Sequence, residues 1–174
     1  MTVTLIATAG AADANSYATL AEADAYHATR LNSADWNTAN DETKIVALIM
    51  ATRILDNLYE WSGAVTTVTQ RLLWPRVGIL AKNRLSNVDD TTIPEELKFA
   101  TSELAAQLII EDLTLESDIQ VKQITSLRAG PISLSFDASA VIAKVITDSV
   151  YYLIPSGWGY VKSRQSRVRE LERA

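Results

Sequence analysis

The residues with the most chemical potential lie near the C-terminal end. There Trp158, Tyr160, Lys162, Arg164, Arg167 and Arg169 interleave aromatic rings with cations. Two chemistries suit that order. Rings can stack on exposed bases while ammonium and guanidinium groups neutralise phosphates, the usual means of holding single-stranded nucleic acid. The same cluster can instead dock a basic arm, ordered only on binding, onto a partner protein. Trp74 and Arg76 form a second ring–cation pair that could add to either. Because Leu72, Leu73 and Pro75 flank it, Trp74 reads more simply as an anchor for its own segment or as part of a subunit interface.

Charge separates the two chemistries. From Lys162 onward five bases face only Glu170 and Glu172, a local balance of +3, so a chain of net charge -5 carries -8 before that point. Non-specific affinity for phosphates comes from accumulated positive charge, and an acidic body works against it. Docking on protein is therefore the favoured use of the arm.

A search for catalytic groups finds none. His27 is the single histidine and cysteine is absent, so His-based metal cages, thiolate sites and disulfides have no ligands. A Ser/His/Asp triad would have to recruit His27, and no Gly-x-Ser-x-Gly elbow accompanies it. No glycine-rich phosphate loop is present. Glu95, Glu96, Glu111 and Asp112 read as helix-end and solvated charges, and His27 as a surface position on its helix. No enzyme activity, metal or cofactor is expected.

These groups must be positioned by a mainly α chain: a helical bundle with one β-hairpin and an extended C-terminal arm. Thr19-Leu20-Ala21-Glu22 is a capping box that opens a helix to about Arg30, and Asn32 to Asp35 breaks it. A second helix is expected from Asp41 to Tyr59, with Ala47, Leu48, Ala51, Ile54, Leu55 and Leu58 on its buried face and Arg53, Asp56 and Asn57 opposite. Gly63 is placed to cap it in a left-handed conformation. Residues 64–90 are irregular, since Pro75 forbids a continuous helix there. Pro94 opens a third helix to about Leu115, with Glu95 and Glu96 at the positive end of its dipole. Alternation around Gly130-Pro131 predicts the hairpin within 121–137. A last helix spans about Ser139 to Leu153. Residues 1–154 thus form the domain, and 155–174 a hinge at Pro155 to Tyr160 followed by the basic arm.

At 174 residues, 48% of them apolar and 21% charged, the chain is long enough for one domain with a sizeable core. No run approaches the roughly 20 apolar residues a bilayer crossing needs, and the N-terminus lacks the pattern of a secretory signal. The expectation is a protein made in the cytoplasm that needs no membrane.

Five segments, taken in order, resemble a known family. They are Asp13 to Tyr17, Leu20 to Tyr26, Ala51 to Asp56, Leu73 to Arg76 and Ile93 to Thr101. Together they are similar to head–tail connector (adaptor) proteins of tailed bacteriophages, sequences also labelled DnaT-like single-stranded-DNA-binding proteins. The likeness covers residues 13–137. It implies a helical subunit of the virion neck, made in the bacterial host. Copies form a ring, usually of twelve, beneath the portal protein, present a surface to the next tail or stopper protein, and pass genomic DNA without reading its sequence. It also implies a C-terminal segment that reaches into the portal, for which residues 162–174 are the candidate. A single-stranded-DNA-binding replication accessory is the alternative.

Overall fold

Capping residues start the helices where the sequence puts them. The computed structural model describes residues 3–111, 113, 126–129, 132–135 and 145–162. Helix α1 (Leu20–Ala28) opens on a complete capping box. The Thr19 hydroxyl accepts from the Glu22 N–H at 3.2 Å, and the Glu22 carboxylate accepts from the Thr19 N–H at 2.8 Å. A short α2 (Ala34–Thr38) follows, then α3 (Asp41–Leu58), capped by Asn40 Oδ1 on the Thr43 N–H at 2.8 Å. Helix α4 (Glu95–Ile110) begins after Pro94, which stands one position outside the helix as its N-cap.

The fold is mainly α, and its core is the contact of α3 with α4. Leu48, Ala51 and Leu55 meet Leu97, Ala100 and Leu104, all without solvent exposure. Each buried leucine contributes about 1.5–3 kcal/mol. Helix α4 ends earlier than its pattern suggests. Glu111 turns extended (φ -150°, ψ 135°), and most of the expected continuation to Leu115 lies outside the described residues.

His27 is a correction. It is 2% exposed rather than on the surface. Its ring stacks on Trp36 at 4.4 Å, meets Tyr26 edge-on, and its Nε2–H donates to the Ser102 carbonyl at 3.0 Å. The cover over His27 is α2, a helix of five residues that the expected break at Asn32 to Asp35 omitted. Five residues are too few to show a helical period, so only the burial of Trp36 reveals it.

Small antiparallel ladders complete the fold. In chain order the strands are β1 (Tyr59–Trp61), β2 (Ala64–Val65), β3 (Arg76–Val77), β4 (Ser126–Ala129), β5 (Ile132–Ser135) and β6 (Gly159–Val161). Strand β4 pairs with β5 in the expected hairpin, with Ser126 opposite Ser135 and Ala129 opposite Ile132. Strand β2 pairs with β3, inside the stretch read as irregular. Gly63 does take a left-handed φ of 67°, but in the turn between β1 and β2, since α3 has already ended at Leu58.

The C-terminal elements differ most from expectation. Of the helix expected over 139–153, the described part is α5 (Asp148–Tyr151); residues 145–147 are not helical and 139–144 lie outside the described residues. The flexible hinge expected at 155–160 is instead a turn and a strand. Gly157 makes the turn at φ 101°, and β6 then pairs with β1, Tyr59 opposite Val161 and Trp61 opposite Gly159. Two glycines around a tryptophan looked like flexibility. Gly157 supplies the positive φ, and Gly159 permits close approach: a Cβ on it would stand 2.7 Å from the Glu60 carbonyl oxygen.

Candidate functional site

Strand β6 brings Trp158 and Lys162 against Trp74, Arg76 and the end of α3, so one region gathers most of the described residues singled out from the sequence. Trp158, 3% exposed, leans on Trp74 with centroids 5.2 Å apart, and Trp74 meets Trp61 edge-on at 5.7 Å. Tyr59 stacks on Trp61 at 4.6 Å. The result is a continuous aromatic seam drawn from β1, the 72–77 segment and the approach to β6. The Trp158 indole N–H donates to the Leu80 carbonyl at 2.9 Å, which fixes the ring's orientation as well as its depth.

Arg76 is the polar counterpart of the seam. Its guanidinium is buried and donates to the carbonyls of Ser62 (2.6 Å), Gly63 (2.8 Å) and Leu73 (3.0 Å). A planar fork with five N–H groups suits such a cluster of carbonyls, where a lysine would reach fewer. Burial pulls the Arg76 pKa below its usual value, and the nearby Tyr17 and Asp56 oppose that. The Trp74–Pro75 peptide is cis.

Asp56 joins three segments. The Tyr17 hydroxyl donates to one carboxylate oxygen, and the Leu73 N–H donates to the other at 3.2 Å. Burial raises the Asp56 pKa, while these donors act the other way. Burial and the Asp56 charge together push Tyr17 well above its ordinary value. Helix periodicity places Asp56 opposite the buried face, yet the loop from 72 to 76 folds over that side and covers it. Tyr17, Asp56, Tyr59 and Trp61 were not singled out as site residues. The available signal was that Tyr17, Asp56 and Leu73 each belong to a segment that carries the family likeness.

What remains outside is the exit of the arm. Tyr160 is 60% exposed and Lys162 is also exposed. The Lys162 N–H donates to the Leu58 carbonyl at 2.7 Å and its Nζ to the Asn57 carbonyl at 3.2 Å, both at the C-terminal end of α3. The last described residue is thus tied to the longest helix. Arg164, Arg167 and Arg169 lie outside the described residues. Chemically the arrangement clamps chain segments and leaves Tyr160 and Lys162 exposed at the exit of the arm. Among the described residues no group of three or more His, Asp or Glu side chains could hold a metal, and no helix is long and apolar enough to cross a membrane.

Residues 1–173 match the sequence model of the family described as "Putative DnaT-like ssDNA binding protein". No curated protein and no solved structure matches the chain. The chain belongs to this DnaT-like family.

Proposed function

We propose that this member of the DnaT-like family is a non-enzymatic assembly subunit, the head–tail adaptor of a tailed bacteriophage. In this reading copies of the chain form a ring of twelve under the portal protein in the virion neck. The arm beginning at Lys162 docks on the portal, another face meets the next tail or stopper protein, and genomic DNA passes through. One observation carries the choice. The tryptophans that would stack on bases are consumed by the fold: Trp74 is 0% and Trp158 3% exposed. A single-strand binder needs rings that bases can reach. A docking arm needs a rigid root, and the hydrogen bonds from Lys162 to Leu58 and Asn57 supply one. The acidic body suits a channel that must not hold the phosphates it passes.

The burial of Trp158 also narrows the docking set. Trp158 serves as the internal anchor of the arm, and Tyr160, Lys162, Arg164, Arg167 and Arg169 are the residues offered to the portal. The informative truncation therefore removes 163–174 and spares β6. It should leave a folded subunit that no longer associates with the portal or joins DNA-filled heads. Full portal association by the truncated chain would sink the reading.

The second reading, binding of single-stranded DNA in replication, is the one the family's description favours. It would rest on Tyr160 and the arm's bases. It requires oligonucleotide affinity that falls steeply with salt and with Tyr160→Ala. A filter or anisotropy titration with a short oligonucleotide at two salt concentrations decides between the two.

A further inference from the structure

The loop after β3 is built as a projecting knob. The Val88 N–H donates to the Ile79 carbonyl and the Ala81 N–H to the Ser86 carbonyl, both at 2.8 Å, closing a narrow neck. At the tip the Arg84 N–H donates to the Ala81 carbonyl at 2.8 Å, and the Leu85 N–H to Asn83 Oδ1 at 3.0 Å. Arg84 is held at φ 57°, a left-handed conformation that costs a side-chain-bearing residue about 1 kcal/mol or more. This tip holds Leu85 90% exposed directly after Arg84, with Lys82 three residues before it, and residues 81–87 contain no acid.

A matching recess lies at the other end of the molecule. The start of α3 and the end of α4 enclose a groove of ≈ 390 Å³, floored by Val46, Met50, Leu108 and Ile109 and edged by Glu42. Asp41 stands exposed beside Glu42 in the same helical turn. The knob's root adjoins Glu96 near the start of α4, whereas Leu108 belongs to its last turns. At a helical rise of 1.5 Å per residue the two ends are about 18 Å apart, so a knob cannot reach the groove of its own chain.

We propose that the Leu85 knob of one copy seats in the α3–α4 groove of the next, with Lys82 and Arg84 facing Asp41 and Glu42. Complementary charge and shape on two different surfaces make this a head-to-tail contact, which closes into a ring when the rotation per copy permits. The inference rests on the assembly reading and names its subunit-to-subunit surface.

The cysteine-free sequence makes the test direct. Leu85→Cys and Val46→Cys chains, otherwise full length, are mixed and treated with a short bismaleimide, with native mass spectrometry of the unmodified protein in parallel. The expected product is a dimer that needs both variants, and a ladder of multimers from the doubly substituted chain. Leu85→Asp should weaken self-association about tenfold or more, since it removes one buried leucine's worth of contact. Oligomers without a cross-link between the two introduced thiols would overturn the contact and leave the assembly reading intact. A monomer with no product at any concentration would overturn the contact, and mixing with the portal would then decide the assembly reading separately. A link within one chain would overturn it as well.

Discussion

Two aromatic clusters stabilise this protein by opposite means. At the α1–α2–α4 junction the polar rings Trp36, Tyr26 and His27 each have a tether, while Phe99 stacks on Tyr26. The Trp36 N–H donates to Asp24 at 2.8 Å, the Tyr26 hydroxyl to Glu103 at 3.1 Å, and His27 to the Ser102 carbonyl. Lys44 and Arg30 then pair with the same carboxylates, each at 3.0 Å. In the seam, the buried Tyr59 hydroxyl and Trp74 N–H have no partner among the described residues. There most rings pack by area, and order comes from the β1–β6 ladder, the carbonyls gathered by Arg76 and the single tether from the Trp158 N–H to the Leu80 carbonyl. The first cluster fixes direction through hydrogen bonds and charge, which ties it to pH. The second joins residues 158–162 to the middle of the chain, and its one carboxylate, Asp56, has its pKa raised by burial.

The largest effect that could break this comparison is loss of a seam ring. Trp158→Ala should cost about 3–5 kcal/mol, the range for emptying a buried aromatic site, in a urea melt of the full chain. A change below about 0.5 kcal/mol, normal for a surface position, would return Trp158 to a mobile hinge. Arg76→Lys comes next. Because a lysine reaches fewer of these part-buried carbonyls, about 0.5–1.5 kcal/mol should be lost in the same melt.

The third effect sharpens the contrast through pH. Burial lowers the His27 pKa, so between its folded value and the unfolded value of about 6.5 the unfolded chain binds more protons. Stability from His27 is therefore present above about pH 6.5 and lost as pH falls through the folded pKa. Asp56, raised by burial, has the opposite sign: its contribution grows as pH falls toward its ordinary carboxylate value. Urea melts of wild type and His27→Gln from pH 8 to 5 should converge on the acid side, because the variant lacks the His27 slope. Parallel curves would remove His27 as the source. The smallest effect is at Tyr160. With its side chain outside the seam, Tyr160→Ala should shift stability by less than about 0.5 kcal/mol while weakening whichever partner the arm holds.

Legibility followed the range of the forces. Thr19, Asn40 and Pro94 act on neighbours within a turn, and α3 repeats an apolar face over 18 residues, so those helices could be read from local pattern. The β4–β5 hairpin was equally local. Pairing of β6 with β1 joins residues about a hundred positions apart, and nothing near Gly157-Trp158-Gly159 announces its partner. Asp56 was misplaced for a related reason: helical periodicity describes a helix alone, and the loop that buries this carboxylate arrives from residue 73. At the candidate site, residue types were legible as ring-plus-cation, but which rings face solvent depended on those long-range contacts.

The most direct test of the proposed role is native mass spectrometry of the full-length chain mixed in turn with its portal protein and with a single-stranded oligonucleotide. The account predicts a portal-bound ring of defined copy number, lost on removal of residues 163–174, and no oligonucleotide complex at physiological salt. An oligonucleotide complex with no portal association would contradict it and make the chain a single-strand binder.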